Sequence, residues 1–183
     1  INSPSKPFIT MKKCLVLLLA AALFVSCTEK NSKSENHPIG FDMAGGVGRT
    51  ALYGGDTAHV AIFQNYIKAL NNRDTATLRS LESPDSLQIY IPGGEVLTSG
   101  DAYIQFMAKY FTEMNPKWQL NFAMASTLTD KNGKVSDWVT SSGTVTHTVD
   151  GKESKVNRYF DANIVNGKIR KMFVTERQLA PGE

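Results

Sequence analysis

The last third of the chain carries three turn sequences that separate four long segments. Asp-Gly at 150–151 and Asn-Gly at 166–167 are two-residue turns of the kind that join antiparallel strands. A third turn lies at residues 130–133 (DKNG). The segments between the turns, residues 118–129, 135–149, 155–165 and 168–177, show the alternation typical of half-buried strands. We therefore predict a meander of four antiparallel strands against which the rest of the chain must pack.

Three earlier segments have the periodicity of helices. The first segment, residues 57–70, can be capped by Asp56 or by Thr57 at its start. Its apolar face consists of Val60, Phe63, Ile67 and Leu70. A short helix after Asp74 carries Leu78 and Leu81. The strongest helical pattern follows residues 99–101 (SGD) and ends before residues 115–116 (NP). Its apolar face consists of Tyr103, Phe106, Met107, Tyr110, Phe111 and Met114.

Two short strands, residues 87–91 and 95–98, lie on either side of a Pro-Gly-Gly turn. Helices that come mainly before a sheet predict an α+β fold, in which three N-terminal helices pack on a strongly curved antiparallel sheet. We expect residues 57–183 to form this single domain.

The N-terminal region has the layout of an export signal. Met11 is followed by two lysines and by an apolar run at residues 15–25, which is shorter than the roughly 20 residues that a membrane-spanning helix needs. Residues 23–27 (LFVSC) resemble the lipobox of bacterial lipoproteins, although Phe24 stands where leucine is usual. We therefore expect residues 1–10 to lie upstream of the natural protein, residues 11–26 to be a lipoprotein signal peptide, and Cys27 to be lipidated.

The lipoprotein resemblance also implies a location. Acyl chains such as palmitate on Cys27 would hold the protein on a membrane, with its domain in the periplasm or at the cell surface. Thr28 is not the aspartate that often retains such proteins at the inner membrane, so the resemblance favours the outer membrane. The alternative is an ordinary cleaved signal that leaves a free thiol at Cys27. Cys14 lies inside the signal, so no intrachain disulfide is expected.

Residues 27–56 are polar at first and then rich in glycine, which predicts a flexible tether.

The chain has a formal net charge of +3. Residues 1–26 contain three lysines and no acidic residue, so the remainder is formally neutral. Because no basic patch stands out, we do not expect a nucleic-acid partner.

Three short strings resemble the nuclear transport factor 2-like superfamily, which includes ketosteroid isomerases and SnoaL-like polyketide cyclases. Residues 66–74 (YIKALNNRD) resemble its first-helix signature, residues 100–104 (GDAYI) its third-helix entry, and residues 166–169 (NGKI) its final hairpin. The resemblance extends from Thr57 to about Gln178. It implies a cone-shaped fold in which the sheet and helices enclose a pocket.

The ketosteroid isomerase reaction needs a tyrosine and a protonated aspartate as an oxyanion hole, with a second aspartate as base. Tyr66 matches the tyrosine. The resemblance places the base near Tyr90 or Ile91 and the protonated acid at Arg158, so neither carboxylate is matched. We therefore expect no steroid isomerase chemistry and assign no catalytic residue.

The pocket lining depends on the register of the last hairpin. A three-residue loop, which the resemblance favours, brings one set of side chains to the same face, whereas a two-residue loop breaks the set up. With the inward placement of Tyr66 and His147 that the resemblance implies, the candidate pocket residues are Tyr66, His147, Arg158, Phe160, Met172, Val174 and Glu176. The guanidinium of Arg158 could then bind a ligand carboxylate through two parallel hydrogen bonds.

Each candidate also has a purely structural interpretation. Tyr66 suits a core aromatic, and His147 in its threonine-rich strand could face solvent. Arg158 and Glu176 could form a cross-strand ion pair. Asp101 is most simply a helix cap.

Other kinds of site are not indicated. The three histidines lie far apart without metal-ligand spacing, and no phosphate loop, dinucleotide fingerprint or nucleophile elbow is present, so we expect neither metal nor cofactor.

Three functions remain open. The first is a membrane-anchored domain that binds a small, partly apolar ligand. The second is a SnoaL-like enzyme (isomerase, cyclase or dehydratase) using Tyr66 and His147. The third is an envelope scaffold that forms a homodimer through the sheet.

Overall fold

A computed structural model of the chain describes residues 37–43 and 49–180. They belong to one compact unit, His37–Glu183. The expected signal peptide and Cys27 lie outside these residues. Within the described part of the chain, no helix combines the length and apolar character needed to cross a membrane.

Three helices occupy the positions that the sequence predicts. Helix α1 spans Thr57–Asn72, α2 spans Thr75–Leu81 and α3 spans Gly100–Met114. Their N-caps are Asp56, Asp74 and Ser99, whose side-chain oxygens accept backbone N–H groups of the first turn. Asp101 was expected as a cap but lies inside the first turn of α3, where it binds Arg79 instead.

In the described part of the chain, eight strands form one sheet. Their bounds are β1 Gly40–Asp42, β2 Thr50–Gly54, β3 Gln88–Tyr90, β4 Val96–Leu97, β5 Lys117–Thr129, β6 Val135–Val149, β7 Lys152–Val165 and β8 Lys168–Gln178. The strand order is β1-β2-β5-β6-β7-β8-β3-β4. All neighbours are antiparallel except β3 and β8, which are parallel. The predicted α+β class, with three helices on a curved antiparallel sheet, is confirmed.

Strands β1 and β2 correct the predicted tether. The tether was expected to extend to Asp56, but β2 pairs with the free edge of β5, and β1 pairs with β2. Leu52, for example, lies opposite Leu128. A strand this short can form because β5 already offers a row of backbone donors and acceptors. Among the described residues, the sheet therefore begins at Gly40 rather than after Asp56.

The hairpin between β7 and β8 reaches the expected register by another route. Its turn has two residues, Asn166 and Gly167, so the expected three-residue loop is wrong. A bulge then adds Arg170 to β8, because Ile164 pairs with Ile169 while Asn163 pairs with Lys171. One extra residue restores the parity that a longer loop would have given. The predicted shared face is therefore confirmed and carries Arg158, Phe160, Met172, Val174 and Glu176.

A second bulge lies in β5, where the register shifts between Leu120 and Phe122. Gly143 of β6 lies beside it, and a Cβ at position 143 would stand 2.7 Å from the carbonyl oxygen of Gln119. Only glycine permits the two strands to approach this closely. Bulges bend a strand and increase its twist, so this pair of positions contributes to the curvature of the sheet.

The helices pack on the concave face. Asn71 fixes the end of α1 to the start of β5, because its side-chain amide donates to the carbonyl of Trp118 and accepts from the Trp118 N–H, both at 2.9 Å. The buried core between the layers includes Phe63 and Leu78 from the helices and Val139, Val145, Ala162 and Ile169 from the sheet.

Candidate functional site

A small cavity lies between α1, α3 and the concave face of the sheet. Most of its lining is apolar and consists of Leu70, Ile89, Ile91, Pro92, Phe106, Met107, Trp118, Phe160, Met172 and Val174. Tyr66 and Tyr103 add hydroxyl groups, and Arg158 is the one charged side chain among the lining residues. Its volume is about 40 Å³, enough for a few water molecules and below the roughly 300–1,000 Å³ of most ligand pockets.

Tyr66 and Tyr103 form a hydrogen-bonded pair in this lining. Tyr66 comes from α1 and Tyr103 from the first turn of α3, and their hydroxyl groups share a hydrogen bond. Burial raises the pKa of both phenols far above the ordinary value of 10.0. Both are therefore neutral at neutral pH. The hydrogen bond between them uses one of two O–H protons, so the other remains available to an acceptor in the cavity.

Arg158 and Glu176 lie directly opposite each other on β7 and β8. Nε and Nη2 of Arg158 lie 2.9 and 2.8 Å from the same carboxylate oxygen, Oε2 of Glu176. The two side chains are 14% and 22% exposed, so solvent screens the pair only partly. The cross-strand ion pair is therefore present, and Arg158 also lines the cavity.

Tyr110 and His147 extend this polar group. The Tyr110 hydroxyl and Nε2 of His147 share a hydrogen bond, and the guanidinium carbon of Arg158 lies 5.0 Å from the centre of the Tyr110 ring. Burial, followed by the positive charge of Arg158, lowers the pKa of His147 below 6.5, while Glu176 acts in the opposite direction. His147 is therefore a neutral imidazole at neutral pH.

Glu82, the residue after α2, places a carboxyl group inside the protein. It is 4% exposed, and neither oxygen has a hydrogen-bond partner among the described residues. Nη1 of Arg79 lies 3.6 Å away, but Arg79 also donates to Asp101 at 2.7 Å. Burial raises the pKa of Glu82 to about 7. Its charge contributes to the raised pKa of Tyr66 and Tyr103, so its field reaches the cavity.

The predicted residues separate into two groups. Five of the seven pocket candidates line the cavity: Tyr66, Arg158, Phe160, Met172 and Val174. His147 and Glu176 face the same side of the sheet but do not line the cavity. Glu176 binds Arg158, which does line it, and His147 binds Tyr110, whose ring lies under the Arg158 guanidinium. His147 is 4% exposed, so the solvent-facing alternative is wrong. Tyr66 and His147, paired in the proposed enzyme, bond to different tyrosines.

Three polar residues of this region were missed by sequence reasoning. Tyr103 and Tyr110 were interpreted as core residues of α3, and Glu82 was not singled out. The two tyrosines stand seven residues apart on an apolar helix face, and a buried phenol needs a partner for its hydroxyl. That requirement was the available signal. No comparable signal marked Glu82.

The structure shows what occupies the two positions that the isomerase resemblance assigned to carboxylates, and whether side chains are arranged to bind a metal. Near the position of the isomerase base, Ile91 lines the cavity, whereas Tyr90 stacks on Phe173 with ring centres 4.7 Å apart. Arg158 stands where the protonated acid was expected. Within residues 37–43 and 49–180, no group of three or more His, Cys, Asp or Glu side chains is arranged to hold a metal ion.

Several solved structures share this fold. IdmH from Streptomyces antibioticus, a candidate polyketide cyclase, is 14% identical and has a TM-score of 0.54 over 64% of this chain and 91% of its own. A candidate ketosteroid isomerase from Kribbella flavida is 14% identical, with a TM-score of 0.55 over 71% and 85%. An LEH-like epoxide hydrolase of M. tuberculosis is 13% identical, with a TM-score of 0.53 over 66% and 84%.

At these identities the likeness concerns the fold alone, and it confirms the expected nuclear transport factor 2-like architecture. A comparison with curated proteins finds no match. Residues 60–164 match the model of the SnoaL-like domain. Because this match covers more than half of the chain, the protein belongs to the SnoaL-like domain family.

Proposed function

We propose that the domain binds a small, partly apolar ligand in the cavity between α1, α3 and the sheet. The observation that carries the proposal is the convergence of the Tyr66–Tyr103 hydroxyl pair and the Arg158 guanidinium on an otherwise apolar space. A few directed polar groups in an apolar lining are typical of ligand pockets. In this proposal the apolar wall holds the body of the ligand, and the polar groups bind its oxygen atoms.

The small volume requires the cavity to widen when a ligand larger than a few atoms enters. Phe106 is the side chain best placed to move, since it borders both the cavity and an outer groove along α3 that also touches Tyr110. The outer groove has a volume of about 510 Å³. Rotation of the Phe106 ring toward this groove would join the two spaces.

Native mass spectrometry of the full chain, purified in mild detergent from its own host, tests the proposal. We expect a bound small molecule on the wild type that is lost from Tyr66→Phe and from Arg158→Gln. Tyr159→Phe is the matched control, because Tyr159 is an exposed tyrosine on the outer face of the sheet. A bound molecule retained by all variants would place the site elsewhere, and an empty wild type would count against a stable ligand.

A proton-transfer enzyme using Tyr66 and His147 receives less support. Each side chain has its own tyrosine partner, so a shared reaction would need both pairs to face one substrate. Loss of turnover in both Tyr66→Phe and His147→Gln, with a pH–rate limb that disappears in the latter, would favour the enzyme over the binding domain.

We also propose self-association, on a separate observation. Phe122, Met124 and Tyr159 on the outer sheet face are 46%, 51% and 46% exposed, and the register places them on two adjacent cross-strand rows. A second copy of this chain would remove such a patch from water.

Met124→Lys should weaken a dimer at least tenfold in sedimentation analysis, whereas Val149→Lys, at the far end of β6, should not. A monomeric wild type at high concentration would exclude this dimer.

Finally, we propose that Cys27 anchors the domain to the bacterial cell envelope, in the outer membrane. Support comes from the apolar run at residues 15–25 and the lipobox-like string at residues 23–27.

A further inference from the structure

We propose that the cavity selects an uncharged ligand bearing a hydrogen-bond-accepting oxygen, and that Glu176 sets this preference by occupying the charged edge of Arg158. The inference rests on the proposed ligand-binding function and narrows it to a chemical class: amides, ketones, aldehydes or alcohols with a small apolar body. It replaces the carboxylate ligand that the sequence suggested for Arg158.

The first argument is that the guanidinium is already paired. Two of its N–H groups point to one oxygen of Glu176, at 2.9 and 2.8 Å. A ligand carboxylate would have to displace Glu176 or lie beside it, bringing two like charges together in a half-buried space. An uncharged oxygen needs only one of the N–H groups that Glu176 leaves unused, since a guanidinium has five.

The second argument is that Arg158 is the one positively charged side chain among the described residues that line the cavity. Tyr66 and Tyr103 are neutral donors, because burial raises the pKa of both. His147 is neutral as well, because burial lowers its pKa. An anion entering the cavity would therefore lose its hydration without gaining an unpaired cation in return.

The third argument comes from Glu82, whose buried carboxyl group follows α2 and acts electrostatically on the tyrosine pair. It has no hydrogen-bond partner among the described residues, and its nearby cation, Arg79, is shared with Asp101. Burial is the main cause of the raised pKa of Tyr66 and Tyr103, and a negative charge on Glu82 adds to it. The same charge disfavours a negatively charged ligand beside the two hydroxyl groups. An uncharged ligand oxygen carries no net charge, so Glu82 does not repel it in this way.

Isobutyramide and isobutyrate form a suitable probe pair, because they have the same shape and differ in charge. Binding can be followed at a single pH near 7.5 by methyl NMR of the full chain in detergent micelles, labelled at the methionine methyl groups. Met172 lines the cavity and reports binding, whereas Met124 on the outer sheet face serves as an internal control. We expect the Met172 signal to titrate with isobutyramide at a Kd at least tenfold lower than with isobutyrate.

Glu176→Gln keeps the shape of the side chain and removes its charge. We expect it to tighten isobutyrate binding at least tenfold while changing isobutyramide binding less than threefold. Adding Arg158→Gln should abolish the gain, and Glu153→Gln, an exposed glutamate at the start of β7, should leave both affinities unchanged.

The outcomes separate the two proposals. Equal or tighter binding of isobutyrate by the wild type would overturn the preference for uncharged ligands while upholding a ligand-binding cavity. An unchanged ratio of affinities in a folded Glu176→Gln variant would overturn the role of Glu176. If neither probe shifts the Met172 signal in any variant, the cavity does not take small oxygen-bearing ligands, and the proposed function fails together with this inference.

Discussion

Arg158 lies directly opposite Glu176 although the hairpin that joins their strands has only a two-residue turn. The pairing depends on two local features: the Asn166–Gly167 turn and the bulge at Arg170. Both central turn residues have positive φ, 51° for Asn166 and 71° for Gly167, as a type I′ turn requires. A change in this distant turn therefore bears on the polar group beside the cavity.

Gly167→Ala tests the turn. An L-residue with a Cβ is strained at positive φ, so we expect a loss of about 1–2 kcal/mol in the free energy of unfolding. Urea denaturation measures it. Gly54→Ala is the matched control, because Gly54 is a strand glycine with open space around its Cβ position and no positive φ. Equal effects of the two substitutions would show that the turn conformation is not the cause.

Glu82→Gln should make stability less dependent on pH. Burial raises the pKa of Glu82 from 4.5 to about 7, so between these values the folded protein holds a proton that the unfolded chain releases. The favourable contribution is complete below pH 4.5 and is lost as pH rises through 7. A shift of this size corresponds to roughly 3 kcal/mol. At pH 8.5 we therefore expect the variant to unfold at a higher urea concentration than the wild type.

At pH 4.5 the two proteins should unfold at similar urea concentrations. Glu113→Gln is the control, since Glu113 is exposed and its ion pair with Lys109 is a surface contact, worth about 1 kcal/mol at most. A Glu82→Gln variant that is less stable than the wild type at pH 8.5 would mean that the Arg79 ion pair outweighs the cost of burying the charge.

The titration of His147 should respond in opposite directions to its two charged neighbours. Burial and then Arg158 lower its pKa, and Glu176 raises it. We expect Arg158→Gln to raise the pKa and Glu176→Gln to lower it, as followed by the imidazole proton signals in NMR. Lys171→Gln, which removes a cation that lies over Tyr90 and Phe173, should change nothing. Shifts in the same direction for both substitutions would contradict the electrostatic assignment.

Cys27→Ser should abolish labelling of the protein by an alkyne analogue of palmitate in its host. The reason is that the predicted thioether and the processing that follows it both require the Cys27 thiol. Cys14→Ser, inside the predicted signal, should keep the label. An unlabelled wild type whose purified form reacts with a maleimide would support the alternative of an ordinary cleaved signal and a free thiol.

The parts of the fold that sequence predicted well are those specified by local chemistry. Asp74 and Ser99 begin helices because their side chains accept backbone N–H groups within the same turn. The long meander follows from turn sequences in which Gly151 and Gly167 adopt positive φ. In each case the determining interaction lies within a few residues along the chain.

The features that escaped prediction depend on distant partners. Strand β2 exists because β5 presents a free edge more than seventy positions later in the chain, and its own glycine-rich surroundings indicate a loop. The bulge at Arg170 has no glycine to mark it. Glu82 precedes a Ser-Pro sequence typical of a surface turn, but elements from later in the chain lie against it: Ile169 of β8 pairs with it, and Gly100 of α3 lies beside its carboxyl group. Local sequence contains none of these relationships.

The bend in the sheet at Gly143 and the lining of the cavity depend on different residues, which is useful for redesign. The close approach of β5 and β6 depends on a position that is not among the cavity-lining residues, whereas the lining is supplied by other side chains. Libraries that vary Met107, Met172 and Val174 can therefore alter the size and polarity of the interior without touching the bend in the sheet. Position 143 should be held constant in such libraries, because any larger residue there would change the scaffold instead of its contents.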